Sequence, residues 1–328
     1  MKMKAMGLFE FGGPEVLKEI TIEKPAPMEK EVLVKVLGTS LNYADIKTRK
    51  GAFFAASTVF PVVPGLDAFG TVEETGDKVK DFQKGDRVIV FPKSGSYQEY
   101  VKEDESLVFK VPDSVAFEQA VASPLVTFAS YMMLESFAHV KEGDTIFVHS
   151  ASGGMGNSIT QIAKAMGAKK VIGLVGDKAK KETALKIGVD AVIIDKEEDF
   201  VKRIMEETDN EGVDVILDSL GGEYTKRGLE VLKNYGHLVA FGSTSGSFSE
   251  VDTSKLYATC KTVSGFSSVT IRNTKPEMFK EASRKIFKLM EDKKLILEIS
   301  KIMDLSEAPT AHRLMEEGKV KGKIVLKV

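Results

Sequence analysis

The residue types best suited to chemistry are concentrated in one turn. His149-Ser150-Ala151-Ser152-Gly153-Gly154-Met155-Gly156 follows the apolar run Ile146-Phe147-Val148 and opens a segment of helical pattern. The phosphate-cradling pattern G-x-G-x-x-G fits with Gly153 and Gly156 in its second and third positions and Ala151 in place of its first. The second glycine lets the backbone approach a pyrophosphate, the third lets helix and strand pack closely, and helix N-terminal amides face the phosphates. Gly154 and Met155, inside this turn, are candidate cofactor contacts with Ala151, Gly153 and Gly156. Cofactor choice turns on the end of the next strand, Leu174-Val175-Gly176-Asp177-Lys178-Ala179-Lys180-Lys181. An acid there would hold a ribose 2′-hydroxyl, whereas a small or basic residue accommodates a 2′-phosphate. Val175 offers no carboxylate, Gly176 is small, and Lys180, with Lys178 and Lys181, can supply charge, so the reading is NADPH over NADH. Asp177 reads as a cap for the helix beginning near Lys178.

The elements that must hold this turn are legible as six short apolar runs. They are Ile146 to Val148, Val171 to Val175, Ala191 to Ile194, Val213 to Leu217, Leu238 to Phe241 and Thr262 to Phe266, separated by helical segments. Buried strands with crossovers imply a parallel, doubly wound sheet. Ile159, Ile162, Ala163 and Met166 recur at helical spacing, giving the first helix an apolar face for that sheet. The first 110 or so residues read instead as strands and turns, with Val32, Val34 and Val36 in alternation and Val88 to Phe91 after the turn Gly85-Asp86. After about Ser268 a helix carrying Phe279, Ala282, Ile286 and Leu289 follows Pro276, and Ile324 to Leu326 form a closing strand. The expected organisation is a discontinuous catalytic domain, residues 1–120 and 269–328, around an inserted dinucleotide-binding domain, residues 121–268.

Composition excludes several classes. With 46 Lys plus Arg against 48 Asp plus Glu the net charge is −2, so no global basic field favours nucleic acid or anionic lipid, and a small-molecule partner is expected. Cys260 is the single cysteine and the four histidines are scattered, which leaves no disulfide framework and no metal site with recognisable spacing. Cys260 itself reads as an inert small hydrophobe beside a buried strand, and His149 as packing at a strand end. The uncharged stretch Gln119 to Leu134 contains Pro124, and Lys2, Lys4 and Glu10 interrupt any apolar leader. No membrane association is expected, and the cytoplasm is the expected location.

The chain resembles the medium-chain dehydrogenase/reductase superfamily, and within it the zinc-free NADPH:quinone oxidoreductase branch, over essentially its whole length. The resemblance rests on Gly12-Gly13-Pro14-Glu15-Val16-Leu17, Asn42-Tyr43-Ala44-Asp45 with Arg49 and Gly51, Pro64-Gly65-Leu66-Asp67, and Gly70 through Gly85-Asp86-Arg87-Val88. The glycine turn, Asp218-Ser219-Leu220-Gly221-Gly222 and Gly322-Lys323-Ile324-Val325 complete it. It implies a GroES-like β-rich catalytic domain beside a Rossmann cofactor domain, and a homodimer through the latter. Zinc-dependent relatives place a cysteine and a His-Glu pair where this chain has Asn42 and Leu66-Asp67, so the resemblance implies no metal. Without a Lewis acid, hydride transfer to an electrophilic quinone or α,β-unsaturated carbonyl is the implied direction.

Such a site needs donors aimed at the oxygen on which charge develops. By family position the candidates are Asn42, Tyr43 and Tyr97, on or near the segment Asn42 to Phe53. Asn42, Thr127, Ser219, Phe241, Gly242, Phe266 and Lys323 are the further implied cofactor contacts. Thr127 also reads as a helical threonine bonded to its own backbone, and Asp45 with Arg49 as an i,i+4 ion pair. Three departures from the family stand out: Asp195 where a tyrosine would lie by the 2′-phosphate, Gly318 for an arginine with Lys319 and Lys321 nearby, and Lys47 for an aromatic. Two other readings remain open here. One is an enoyl- or acryloyl-CoA reductase using Lys47, Arg49 and Lys50, and the other a non-enzymatic, NADPH-binding structural or RNA-binding relative.

Overall fold

The structure is a computed structural model and describes residues 1–52 and 58–328; Phe53 lies outside the described residues. The chain divides into one unit of Met1–Phe128, Pro276–Glu291 and Leu297–Val328, and a second of Ala129–Lys275 and Asp292–Ile296. The breaks at Phe128 and Lys275 lie eight and seven residues beyond the expected 120 and 268, and Asp292–Ile296, expected in the first unit, groups with the second.

The first unit starts with an antiparallel pair, β1 (Lys2–Gly7) and β2 (Lys18–Glu23), followed by β3 (Glu31–Ser40), β4 (Ala68–Thr75), β5 (Arg87–Val90), β6 (Tyr100–Asp104) and β7 (Val108–Lys110). The second unit holds β8 (Thr145–Val148), β9 (Lys170–Val175), β10 (Ala191–Ile194), β11 (Val213–Asp218), β12 (Leu232–Ala240) and β13 (Thr262–Gly265). β14 (Ile299–Asp304) and β15 (Lys323–Lys327) then return to the first unit.

In the first unit the sheet order is β14-β15-β3-β4-β5-β7, with β6 also pairing β3. Val32, Val34, Val36, Val72, Val88 and Val90 share one core, as β-branched residues alternating toward one face should. The helix Glu277–Glu291 buries Phe279, Ala282 and Ile286, and Phe279 meets Phe91 edge-on at 4.9 Å between centroids. Pairing of Ser40 with Val325 of β15 and of Thr39 with Ala68 of β4 fixes the end of β3, from which Ser40, Leu41 and Asn42 lead into the helix Tyr43–Arg49.

The second unit is a six-stranded sheet in the order β10-β9-β8-β11-β12-β13, parallel throughout. Its order reverses beside β8, the switch point outside whose carboxyl ends open α/β sheets bind ligands. Ile159, Ile162 and Ala163 of the helix Gly154–Ala165 are fully buried, as their spacing predicts. Among the described residues, no helix is long and apolar enough to cross a membrane.

Candidate functional site

The glycine turn leaves β8 and becomes a helix at Gly154, with Gly153 as its N-cap residue. A Cβ built on Gly156 would lie 2.5 Å from the carbonyl oxygen of Ala151, a backbone group that cannot rotate away. Gly156 is therefore a glycine because the helix crosses its own entry strand closely. Gly153 differs, because its Cβ would meet nothing nearer than the Ser150 carbonyl oxygen at 3.3 Å. A methyl there would need that oxygen to give by only a few tenths of an ångström, a milder demand than at Gly156. Half-buried Gly154 and Met155 carry first-turn N–H groups, which helix geometry leaves without intrahelical acceptors. A pyrophosphate fits this donor set.

Ala151 is tolerated in the first position because of its neighbour on β9. A Cβ on Gly173 would come within 2.6 Å of the Ala151 methyl, and Ala151 N–H donates to the Leu174 carbonyl at 2.9 Å. Gly176, just past β9, is exposed, and a Cβ there would meet only Lys180 Nζ, at 4.0 Å. Lys180 is half-buried with Nζ 3.2 Å from the Asp177 carboxylate. The Asp177 side chain thus turns to Lys180 rather than capping the helix as its position suggested. Asp195 is turned as well. Its carboxylate accepts the Tyr224 hydroxyl at 2.7 Å, and burial with that carboxylate pushes the Tyr224 hydroxyl up to about 12.

Asp218, at the end of β11, is a hub that the sequence signals only through the motif it belongs to. It lies 2.9 Å from His149 Nδ1, accepts from the Leu220 and Gly221 amides at 2.9 Å, and accepts the Thr225 hydroxyl. Burial alone would raise its carboxyl, but the His149, Gly221 and Thr225 hydrogen bonds hold it below the usual carboxylate range. His149 is buried at the strand end, as expected, and gains this bond besides packing. Ser219 Oγ is 3.2 Å from Ser150 Oγ, and the Phe241 amide donates to the Asp218 carbonyl. A Cβ on Gly242 would reach 2.8 Å from the Ser219 carbonyl oxygen. The structure thus gathers Ala151, Gly153, Ser219, Phe241 and Gly242 at neighbouring strand ends. Phe266 follows β13, its amide bonded to the Ala240 carbonyl and its ring edge-on to Phe137 at 5.3 Å.

In the first unit, Asn42 caps the helix Tyr43–Arg49 and is 6% exposed. Its Oδ1 accepts from Lys323 Nζ at 2.6 Å, and its Nδ2 donates to the Ser40 carbonyl at 3.2 Å and more distantly to Asp67 Oδ1 at 3.4 Å. Asn42 is therefore not arranged to donate to a substrate oxygen; its open capacity is the second lone pair on Oδ1. Tyr43 is 44% exposed, with Lys47 Nζ 6.0 Å from its ring centroid. Tyr97 has no exposed surface, and its hydroxyl is 3.1 Å from His312 Nε2. Thr127 is buried and donates to the Ser123 carbonyl at 2.8 Å, so its proton is already placed. Lys323, 2% exposed, is enclosed at the foot of this cluster.

Two expectations are corrected here. Arg49 does not pair with Asp45: its guanidinium lies 2.8 Å from Glu316, while the Asp45 carboxylate accepts the Asn42 amide at 2.8 Å. Lys50 also pairs with Glu316. Cys260 is exposed, because it is the left-handed C-cap (φ 53°) of the helix Thr253–Thr259 rather than part of the strand two residues on.

Family comparisons agree with this architecture. Residues 154–287 match the family model described as zinc-binding dehydrogenase, and residues 28–113 that of the alcohol dehydrogenase GroES-like domain. The chain belongs to the medium-chain dehydrogenase/reductase superfamily. Within it, the chain falls in the zinc-free quinone oxidoreductase branch. It is 34% identical to the probable quinone oxidoreductase of Schizosaccharomyces pombe over 319 residues, 96% of this chain and 94% of that one. To the human quinone oxidoreductase it is 36% identical over 220 residues, 66% of each chain. The crystal structure of the Escherichia coli quinone oxidoreductase complexed with NADPH superposes with a TM-score of 0.91 at 31% identity, covering 99% of this chain and 100% of that one.

Proposed function

We propose that this protein is an NADPH-dependent oxidoreductase that passes hydride to quinones or α,β-unsaturated carbonyl compounds without zinc. The observation that carries the reading is the glycine turn, where Gly153 is left bare for an outside ligand while Gly156 and Gly173 are bare for internal packing. When bound, NADPH supplies the hydride. The helix N-terminus holds the pyrophosphate, and Lys180, released from or sharing Asp177, answers the 2′-phosphate. With the Asp195 carboxylate committed to Tyr224, the acid at that position is drawn toward a protein partner. Asn42 serves a cofactor hydroxyl or amide as an acceptor, and the exposed Tyr43 hydroxyl is the remaining donor for the acceptor oxygen. Tyr97 acts from behind, through His312, rather than by touching substrate. The acyl-CoA reading loses ground because Arg49 and Lys50 are both engaged by Glu316.

The deciding experiment follows consumption of NADPH, with NADH in parallel, against an ortho-quinone, a para-quinone, a 2-enal and crotonyl-CoA. Quinone reduction preferring NADPH is expected, and Lys180→Ala should narrow that preference about tenfold, the scale of one charge-assisted contact. Equal use of NADH, or crotonyl-CoA turned over far faster than quinones, would refute the cofactor or the substrate class respectively.

A homodimer through β13 belongs to the same reading. This edge strand has no partner on its outer side among the described residues, and Phe248 and Tyr257, 77% and 89% exposed, precede it in sequence. Light scattering after size exclusion should give a dimer for wild type and a monomer for Phe248→Glu/Tyr257→Glu; a monomeric wild type at tens of micromolar would sink the assignment. We place the protein in the cytoplasm, a reducing compartment that suits its unpaired, exposed Cys260.

A further inference from the structure

Unit one buries an unusual charge set. Asp45 and Asp67 have no exposed surface, Lys323 is 2% exposed, and all three surround Asn42. The Ser40 hydroxyl donates to both Asp67 oxygens at 2.9 and 3.2 Å, and the Leu125 amide donates to Oδ2 at 2.9 Å. Lys323 Nζ reaches the Leu41 carbonyl at 2.9 Å and Asn42 Oδ1 at 2.6 Å. Burying an ammonium and two carboxylates costs several kcal/mol per ion unless each is well met, so a packed apolar cluster would serve stability as well. What the ions add is direction. An ammonium has only donors and a carbonyl oxygen has only acceptors. Lys323 on one side of Asn42 and the Ser40 carbonyl on the other therefore admit one orientation of a side chain whose two ends are otherwise nearly the same shape.

We propose that Lys323 is the positioning residue of this site: by donating to Oδ1 it locks the Asn42 amide in the orientation that offers a ligand an acceptor and no donor. Lys323 acts through Asn42 and touches neither cofactor nor substrate, in place of the direct cofactor contact implied by its family position. Burial lowers the proton affinity of the enclosed ammonium, and Asp67 and Asp45 beside it work against that loss. The consequence for turnover rests on the function proposed above; the hold on Asn42 does not.

The test has two arms. In protein labelled with ¹⁵N-asparagine, the Asn42 side-chain amide is assigned by its loss in Asn42→Ala. Lys323→Gln is expected to move that resonance and to speed exchange of its protons at least tenfold, the factor for one hydrogen bond of about 1.4 kcal/mol. An unmoved resonance with unchanged exchange overturns the proposal. Should Lys323→Gln not fold, Lys323→Met, which keeps the apolar stem and removes the donor while leaving Asp67 on Asn42 Nδ2, is read the same way. The second arm measures kcat/KM for NADPH with a quinone. Lys323→Gln should cost about tenfold in the wild-type background and close to nothing further in Asn42→Ala, because the two act as one unit. Equal losses in both backgrounds mean that Lys323 supports only the fold, and the proposal fails. If wild type reduces no quinone, the function reading falls, while the resonance arm still decides whether Lys323 holds Asn42.

Discussion

Replacing Gly156 with valine is expected to abolish NADPH binding and to lower the melting temperature by about 5–10 °C, the effect of a few kcal/mol of overpacking. The new Cβ would lie 2.5 Å from the Ala151 carbonyl oxygen, which is pinned because the Ala151 amide is bonded into β9. Only the helix can give, and it cannot lift without drawing Ile159, Ile162 and Ala163 off the sheet. The first-turn amides move with it. Gly153→Ala is the matched control, since its methyl meets the protein no nearer than 3.3 Å. That variant should melt within about 2 °C of wild type, a change below 1 kcal/mol, yet lose NADPH affinity because the methyl occupies the ligand's approach. Thermal unfolding and NADPH fluorescence titration of both variants check the pair. A Gly156→Val protein that melts and binds like wild type would show that the turn is not packed as described.

Acid stability carries the second large effect. His312 is buried, bonded to the Tyr97 hydroxyl at 3.1 Å, and pushed down to about 3 by burial and then by the Arg49 guanidinium. Its ordinary value is 6.5. Below pH 6.5 the unfolded chain takes up a proton that the folded chain refuses, so stability present above 6.5 drains away until about pH 3, where the folded imidazole charges too. The limiting slope for one proton is about 1.4 kcal/mol per pH unit. Asp45 runs the other way. Burial pushes its carboxyl up to about 7 from 3.8, so the folded state binds that proton first and gains stability as pH falls from 7 toward 3.8. The raw profile mixes both, and a comparison with His312→Gln separates them. From urea midpoints, His312→Gln should be the less stable protein at pH 7.5, the gap shrinking by about 1.4 kcal/mol for each unit below 6.5. A gap constant from pH 7.5 to 5 would mean that His312 titrates freely in the folded protein.

Parallel strands buried on both faces are spelled as apolar runs, which is why the runs from Ile146 to Leu217 foretell their strands so closely; β13, at the sheet edge, has no buried residue. The glycine turn is equally legible, since its spacing is set by ligand and helix rather than by distant residues. Asp45, Asp67 and Lys323 are not legible in this way. Charged letters read as surface, and only folding reveals that β15 carries Lys323 to the end of β3, more than 280 residues from Asn42 along the chain. Helical spacing offers Arg49 its nearest acid, Asp45, but the pairing belongs to Glu316 on another helix. Tyr97 and His312 are likewise a tertiary pair. Cys260 sits two residues ahead of β13 at a helix end, where a left-handed C-cap leaves its side chain exposed.

The exchange of bulk between Ala151 and Gly173 has a bearing on how the loop can be altered. In the usual fingerprint the loop itself surrenders the first side chain; here the adjoining strand does so instead, with the Gly173 Cβ position 2.6 Å from the Ala151 methyl. The two sites share one allowance of volume, so neither can drift alone toward a larger residue. Enlarging Gly173 would press on the Ala151 methyl and also on the Val189 side chain at 3.0 Å, so a glycine at 151 relieves only part of the crowding and the residue at 151, taken singly, is a poor guide to whether the dinucleotide loop is intact.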